Sequence, residues 1–382
     1  MATISLAANQ ADQHIRDVNS VGADATGRRV WIISDDLSGP PDEGVKKFTL
    51  AIAASLRSRH EVELISTHGS SDASDIRSIP TSRFFLSRPL RAALRSGRPD
   101  VVIYATRRSA TFFSFIRARL LNFYCPTARI VLLGLQTRRH PRWQRWLIRR
   151  LRPALVLVQS NENRDYLAQL DCRVAIVPSG VDVEAFRPVD PARRLALRRQ
   201  YGLAADRPIV LHVGHLHEGR GIRDLLPLAA SGKCQVLLVT STSTLQQPHL
   251  ADELRAAGVR LLTEYLPRIE EVYQIADCYV FPVRTTDNAI EVPLSVLEAL
   301  ACDLPVVTTR FGGLTRLFTG ATHPGLVFVD STEELARQAL RLVQAGQRGT
   351  RTLALPFSWD AIVNIALAEA LATPNPTIRR LL

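Results

Sequence analysis

The chain has 382 residues, of which 46% are hydrophobic and 22% charged, so its composition is that of a globular protein and excludes a wholly disordered chain. This length suits two domains of roughly 150–200 residues each. The net charge of +12 lies in the first half, because residues 1–180 hold 27 Lys and Arg against 15 Asp and Glu.

Targeting and redox signals are weak. No apolar run approaches the roughly 20 residues of a membrane-spanning helix, and no basic start with a long apolar core marks a signal peptide, so we expect a cytoplasmic protein. Five scattered cysteines show no metal-ligand spacing, which predicts buried free thiols and no zinc site.

The first half alternates short apolar runs with stretches of helical periodicity. After an irregular tail at 1–27, a Gly/Pro-rich loop and a helix at 45–56 follow the first strand. Strands are predicted at 29–34, 61–65, 101–104, 130–135, 154–158 and 173–177. This alternation predicts a parallel sheet covered on both faces.

The pattern restarts after a charged, proline-bearing link at 187–207. Strands are predicted at 208–213, 235–239, 259–262, 278–281, 305–308 and 326–329, and a last helix at 359–371. Two doubly wound α/β domains in tandem predict a cleft where the carboxyl ends of both sheets face each other.

One basic segment is interleaved with tryptophans, and no acidic residue occurs from 101 to 161. Its arginines are Arg138, Arg139, Arg142, Arg145, Arg149, Arg150 and Arg152. A helix from about Pro141 would place Trp143, Trp146, Leu147 and Leu151 on one face. The segment is interpreted first as a crossover helix packed on the sheet, and second, compatibly, as a surface that docks on anionic lipid. Nucleic-acid binding is least favoured, because no recognised module is present.

Six motifs in order resemble the retaining family-four glycosyltransferases, over roughly residues 29–372. Ser160 and the segments 177–188, 212–221, 273–282, 291–301, 304–313 and 357–359 carry the resemblance. It implies the GT-B fold: two Rossmann-like doubly wound domains facing a central cleft, with the C-terminal helix returning to the first. The implied boundaries are a tail at 1–27, an acceptor domain at 28–185, a nucleotide-sugar domain at 186–355, and a crossover helix and tail at 356–382.

The resemblance also implies the chemistry. The family transfers a sugar from a nucleotide-diphosphate donor with retention at the anomeric carbon, here a UDP- or GDP-sugar, with no metal and no further cofactor. The acceptor would be a glycan or a lipid-linked molecule of polysaccharide or glycolipid biosynthesis. Charge grows on the leaving diphosphate, so cations and backbone N–H donors lower the barrier. The family's Arg and Lys positions hold His215 and Arg220 here.

Further site residues follow from the same motifs. Glu298 matches the ribose ligand, and Glu291, one place out of register, matches the sugar-facing glutamate. The start of the helix that carries Glu298 would offer N–H groups to the phosphates. The remaining candidates for donor binding are Pro293, Leu294, Ser295, Val296, Gly214, Leu266 near the base, and Gly44 in the first domain.

Departures from the family pattern leave alternatives open. His215, the shortened glutamate spacing and Glu43, which replaces a family glycine, also fit a non-catalytic GT-B protein that binds a nucleotide sugar or glycan. A nucleotide-sugar epimerase on the same fold is a third interpretation. A dinucleotide-dependent dehydrogenase is disfavoured, because no G-x-G-x-x-G follows either first strand.

Overall fold

The structure is a computed structural model that describes residues 27–41, 43–69, 74–106, 110–241, 247–285, 289–319 and 323–372. The predicted N-terminal tail lies outside these residues, apart from its last one. The chain divides into two compact units. One extends to Pro178 and includes the segment from Trp359, and the other spans Ser179–Ser358. The two units meet after residue 178, whereas the boundary of functional domains that the resemblance implies, after residue 185, stays a prediction.

The described part of the first unit contains a parallel sheet with strand order β3-β2-β1-β4-β5-β6-β7. The strands are β1 (Arg29–Asp36), β2 (Glu61–His68), β3 (Ile76–Ser78), β4 (Val101–Ala105), β5 (Arg129–Leu133), β6 (Leu155–Val158) and β7 (Val174–Ile176). The helices are α1 (Gly44–Leu56), α2 (Arg88–Gly97), α3 (Phe112–Tyr124), α4 (Arg142–Ile148) and α5 (Asn161–Ala168). Side-chain caps start two of them, since Ser87 accepts from the N–H of Leu90 and Ser160 from that of Asn163.

The described part of the second unit contains another parallel sheet, in the order β10-β9-β8-β11-β12-β13. The strands are β8 (Ile209–Gly214), β9 (Gln235–Thr240), β10 (Arg260–Leu262), β11 (Cys278–Phe281), β12 (Val306–Thr309) and β13 (Leu326–Val329). The helices are α6 (Pro191–Gln200), α7 (Leu226–Ala230), α8 (Pro248–Ala256), α9 (Glu270–Ile275), α10 (Leu294–Ala301), α11 (Leu314–Leu317), α12 (Thr332–Gln344) and α13 (Arg351–Ala354).

Both faces of the second sheet are buried, as its continuous apolar strands predict. Successive side chains of a strand point to opposite faces. Ile209 and Leu211 accordingly belong to one core cluster, while Val210 between them belongs to the other. Two buried layers explain why apolar residues follow one another directly in these strands and do not alternate with polar ones.

The last helix, α14 (Trp359–Ala372), belongs to the first unit, as the sequence predicts. It packs against α1, where the rings of Phe48 and Trp359 meet edge to face with centroids 5.1 Å apart. The Ser55 hydroxyl donates to Asp360 at 2.5 Å and adds a polar contact along the same line. The chain therefore completes its first unit with its last described element.

The basic segment differs from its prediction. Its helix ends at Ile148, so Leu151 lies beyond it. The buried residue is Ile148, whereas Trp143 and Trp146 are 59% and 54% exposed. The tryptophan face is therefore not the face that packs on the sheet. The Arg150 guanidinium lies 3.8 Å from the Trp146 ring centroid and covers part of this exposed aromatic surface.

The predicted link at 187–207 is also corrected, because α6 lies within it. Asp190 caps this helix and Pro191 occupies its first position, which are ordinary helix-start signals. Arg198 is 7% exposed and pairs with Asp277 at 2.6 Å. The basic residues of the link therefore fasten a helix to the second sheet.

The thiol prediction is confirmed: all five cysteines are free and buried. No helix of the described residues is long and apolar enough to cross a membrane.

Candidate active site

Several predicted donor-site residues of the second unit lie at or after the ends of two neighbouring strands, β8 and β11. In the strand order, β8 lies between β9, which follows it in the chain, and β11, which comes much later. The direction of chain connection reverses at this place, and open α/β sheets bind ligands outside the carboxyl ends of such strands. Gly214 ends β8, and Glu291 lies in the connection that leaves β11.

Gly214 provides space for a buried guanidinium. A Cβ atom placed on Gly214 would lie 2.6 Å from Nη2 of Arg220 and 3.0 Å from Nε2 of His212. Arg220 is 7% exposed, and its guanidinium carbon lies 5.9 Å from the Phe281 ring centroid. Burial lowers the pKa of Arg220 to about 10, so the side chain is still charged at neutral pH.

A short helical turn holds Arg220 there. Residues Glu218–Arg220 form a 3-10 turn that ends at Gly221. Gly221 has φ +66°, and a Cβ atom there would lie 2.5 Å from the Pro282 carbonyl oxygen. Only glycine suits this left-handed position against the chain that leaves β11. Gly214 and Gly221 therefore both lie where a larger side chain would collide, Gly214 with Arg220 itself and Gly221 with the Pro282 carbonyl.

His212 is a site residue that the sequence analysis did not single out. It is fully buried, and its Nδ1 lies 2.8 Å from the Val280 carbonyl oxygen, which can only accept, so Nδ1 carries the proton. Burial, with the nearby Arg220 charge, lowers its pKa to about 3, so the imidazole is neutral. Its position two residues before Gly214 could have revealed it, because such residues share a face of a strand.

His215 follows β8 directly and is half-buried. Its carbonyl oxygen accepts from the N–H of His217 at 3.0 Å and starts the turn toward Arg220. Its proposed contact with phosphate stays a prediction.

Backbone hydrogen bonds hold Glu291 and its neighbour Val292 in place. Its carbonyl oxygen accepts from the N–H of Gly313 at 2.9 Å. Gly312 has φ +48°, and a Cβ atom there would collide with the same carbonyl oxygen. On the other side, the Ser179 hydroxyl donates to the Val292 carbonyl at 2.5 Å. Three separate motifs therefore meet at this buried glutamate, which is 5% exposed.

The helix after Glu291 begins as the motif predicts. Pro293 is the N-cap of α10, Leu294 is its first residue, and Ser295 is half-buried. The N–H groups of a first helical turn carry partial positive charge. Here the N–H of Val296 donates to the Pro293 carbonyl at 3.3 Å. The Ser295 hydroxyl is hydrogen-bonded to Tyr279 of β11, which ties the start of this helix to the sheet.

Glu298 lies one turn further along α10 and is 4% exposed. The Tyr273 hydroxyl donates to its Oε2 at 2.8 Å. The Tyr273 ring packs edge to face on Phe186, with centroids 5.5 Å apart. Phe186, Tyr273 and Glu298 come from three different motifs. Together, Phe186 and Tyr273 hold the Glu298 carboxylate in position.

Two remaining candidates, Leu266 and Gly44, make none of the contacts described above. Leu266 follows β10 and packs half-buried on the core of the second unit. Gly44 is the first residue of α1 and belongs to the first unit. Among the described residues, no group of three His, Cys, Asp or Glu side chains could hold a metal ion.

Two family profiles match the chain and together cover most of both units. "Glycosyl transferases group 1" matches residues 207–345, and "Glycosyltransferase Family 4" matches residues 43–185. The chain belongs to the family-four glycosyltransferases. The first profile contains Gly214, Arg220, Glu291 and Glu298, whereas Ser179 and Phe186 lie before it.

Individual curated proteins are similar to about half of this chain. An alpha-maltose-1-phosphate synthase of Mycobacterium tuberculosis is 26% identical over 221 residues, which cover 51% of this chain and 55% of that one. A D-inositol 3-phosphate glycosyltransferase of Saccharomonospora viridis is 33% identical over 226 residues, which cover 52% and 51%. The match thus spans about half the length of these relatives.

A solved structure extends the likeness over both units. Anabaena HepE in complex with UDP-glucose matches with a TM-score of 0.67, 17% identity, and coverage of 91% of this chain and all of that chain. At this identity the match shows the fold alone. The fold is the GT-B pair of α/β units that the sequence predicts.

Proposed function

We propose that this family-four member is a retaining glycosyltransferase that moves a sugar from a nucleotide-diphosphate donor to an acceptor. The observation that carries the proposal is Arg220, a charged guanidinium held in a buried position at the end of β8. A buried cation is suited to a diphosphate, whose negative charge grows as the glycosyl bond breaks. The solved relative HepE was crystallised with UDP-glucose, which supports a nucleotide-sugar donor.

Each donor-site residue then has a task. Arg220 stabilises the leaving diphosphate, and His215 and the first turn of α10 add donors to it. A low local dielectric strengthens each of these contacts. Glu298, fixed by Tyr273, accepts hydrogen bonds from the ribose hydroxyls, because a carboxylate accepts two such bonds well. Glu291 faces the sugar, held by Gly313 and the Gly312 turn.

The reaction as proposed needs no metal and no separate protein base. The bond from the sugar to the diphosphate breaks, the acceptor oxygen bonds to the anomeric carbon on the same face, and the departing phosphate takes the acceptor proton. The donor is a UDP- or GDP-sugar. The GDP form has support from a 30% identical relative named a GDP-mannose-dependent mannosyltransferase, from Corynebacterium glutamicum.

The acceptor is proposed to be a glycan or a lipid-linked molecule, met at an anionic membrane surface. Trp143 and Trp146 support the surface contact, since both are exposed among the arginines of residues 138–152. Interfacial tryptophan and arginine suit the headgroup boundary. Flotation with phosphatidylglycerol vesicles should recover the wild-type chain, and a Trp143→Ser/Trp146→Ser variant should stay behind. Equal recovery of both would dismiss the contact.

Binding of nucleoside diphosphates tests the donor site. Calorimetric titration with UDP, GDP, ADP and dTDP in excess EDTA should reveal selective binding of one of them. Arg220→Ala and Glu298→Ala should each weaken that binding at least tenfold, as expected for the loss of a charge-assisted contact. Arg337→Ala is the matched control, because Arg337 is an exposed arginine of α12 in the same unit. Equal affinity in all variants would contradict the proposed site.

A further inference from the structure

An ion pair joins the turn that holds Arg220 to the connection that leaves β11. Asp224 lies in the 3-10 turn Ile222–Leu225, which directly follows the turn of Arg220. Arg284 is the third residue after β11, and its Nη1 donates to Oδ2 of Asp224 at 2.5 Å. The two residues are 60 positions apart in the chain. Their pairing therefore links two segments that carry donor-site residues, since the connection from β11 leads on to Glu291.

Asp224 is a buried carboxylate with a partner for each oxygen, and the residue is 8% exposed. Its Oδ1 accepts from the Thr332 hydroxyl at 2.7 Å, so the first residue of α12 holds it as well. Its backbone N–H donates to the Gly221 carbonyl at 2.9 Å. Because a buried carboxylate needs paired and hydrogen-bonded surroundings, Arg284 and Thr332 together fix this side chain. The backbone bond then extends that fixed position to Gly221.

The Pro282 carbonyl oxygen is a second point of contact between the same two segments. Nη1 of Arg284 donates to this oxygen at 3.2 Å. A Cβ atom on Gly221 would lie 2.5 Å from it, so the glycine backbone packs directly against the same oxygen. Gly221, the residue after Arg220, is therefore held at two points. Its carbonyl is bound by the N–H of Asp224, and its Cα lies against an oxygen that Arg284 binds.

Ion pairs at the surface also reach the turn of Arg220. The Glu218 carboxylate pairs with Arg223 at 2.8 Å and with His249 at 3.3 Å, and all three side chains are about half exposed. Pairs of this kind contribute little, because water and salt screen them. Asp224, in contrast, is shielded from water. Its pairing with Arg284 therefore fixes the turn more strongly than the surface pairs do.

From these contacts we infer that Asp224 and Arg284 are positioning residues that hold Arg220 in the donor site. They act through the turn and the Pro282 carbonyl and do not touch the donor. Charge-assisted contacts to phosphate depend on distance and direction, so a guanidinium that can shift binds a diphosphate less well. The task of Arg220 on a diphosphate rests on the proposed function, whereas the link between the two segments rests on the contacts themselves.

Chemical labelling of Arg220 tests the link without a nucleotide. The full chain is treated with phenylglyoxal, which modifies accessible guanidinium groups, and labelled peptides are quantified by mass spectrometry. Arg220 is 7% exposed, so it should react slowly in wild type and about fivefold faster in Asp224→Ala. The equally buried Arg198 is the internal reference for general loosening, and its rate should not change. Asp330→Ala is the matched control, because Asp330 is exposed and pairs with Arg310 in the same unit.

A double-mutant cycle tests whether the link serves the donor site. UDP and GDP are titrated by calorimetry in excess EDTA into the wild type, Asp224→Ala, Arg220→Ala and the variant with both changes. Asp224→Ala should weaken binding of the preferred diphosphate about tenfold, and it should have no effect once Arg220 is replaced. Arg284→Gln should reproduce the loss, and its side chain is 41% exposed, so the core should remain intact.

The two measurements separate a failure of this inference from a failure of the proposed function. Unchanged labelling of Arg220 in Asp224→Ala, or labelling of Arg198 that rises by the same factor, would overturn the link. Equal losses of affinity with and without the Arg220 side chain would overturn the positioning role. Faster labelling of Arg220, together with no nucleotide binding by the wild-type chain, would support the link and contradict the proposed donor site.

Discussion

Arg220 occupies its position because Gly214 has no side chain. The two residues are six positions apart in the sequence, yet a Cβ atom on Gly214 would lie 2.6 Å from the guanidinium. Motif comparison identifies both residues but does not show this contact, because it arises only when the turn that ends at Gly221 folds over β11. At the scale of single residues, the site therefore depends on the space that Gly214 leaves for the guanidinium as much as on the charge of Arg220.

Gly214→Ala should displace Arg220. We expect a loss of about 1–3 kcal/mol in the free energy of unfolding, as for other overpacked positions, and at least a tenfold loss in nucleoside diphosphate affinity. Chemical denaturation and calorimetry measure the two effects. Gly258→Ala is the control, since its φ of +88° strains an alanine while no atom of the described residues lies within 4 Å of a Cβ placed there. It should lose stability only, and an unchanged affinity in Gly214→Ala would refute the spatial argument.

His212 should make stability depend on pH. Its pKa is about 3 in the folded chain and about 6.5 when unfolded, so protonation favours the unfolded state. Its contribution is complete above pH 6.5 and is lost as the pH falls toward 3. Near pH 5 the loss is about 2 kcal/mol, at 1.36 kcal/mol per unit of pKa. Denaturant titrations from pH 7 to 5 should show a shallower decline for His212→Gln than for wild type. The exposed His217→Gln should follow wild type, and parallel curves for all three chains would contradict this origin.

At the scale of elements, α6 shows how charge and secondary structure combine. The basic segment 187–207 is predicted as a link because its composition is polar. In the structure, Arg194 and Arg198 of α6 both reach Asp277, just before β11, each at 2.6 Å. Partial burial raises the pKa of Asp277, but hydrogen bonds from Arg194 and the Ile209 N–H, with the charge of Arg198, bring it below its ordinary value. The helix is thereby fixed to the strand that leads to the donor site.

Asp277→Asn should destabilise the second unit by about 3 kcal/mol, because it leaves the buried Arg198 without its counter-charge. Nucleoside diphosphate affinity should be unchanged in conditions where the variant is folded. Asp252→Asn is the control, since Asp252 is exposed and pairs with Arg255 on the surface, so we expect a loss of at most about 0.5 kcal/mol. Equal unfolding midpoints for the two variants, read by fluorescence, would show that the pairing does not hold α6.

At the scale of the whole chain, the sequence predicts the two parallel sheets well because strands buried on both faces are continuously apolar. It misses β3, whose three residues include Arg77 and Ser78 and carry no such signal. It extends α4 too far, because the Trp and Arg spacing continues past Ile148 where the helix ends.

The candidate site likewise has residues that the sequence identifies and residues that only the structure reveals. Arg220 and Glu298 are found from motifs, whereas His212 and the roles of Tyr273 and Phe186 depend on contacts between distant segments.

The most direct test of the central claim is release of the nucleoside diphosphate from a donor. A panel of UDP- and GDP-sugars is incubated with the wild-type chain in EDTA, and the products are followed by NMR. We predict release of one diphosphate, a sugar product with the anomeric configuration of the donor, and a loss of at least a hundredfold in rate for Arg220→Ala but none for Arg337→Ala. Binding of a donor without release by any member of the panel would contradict the account and favour a protein that binds nucleotide sugars without transferring them.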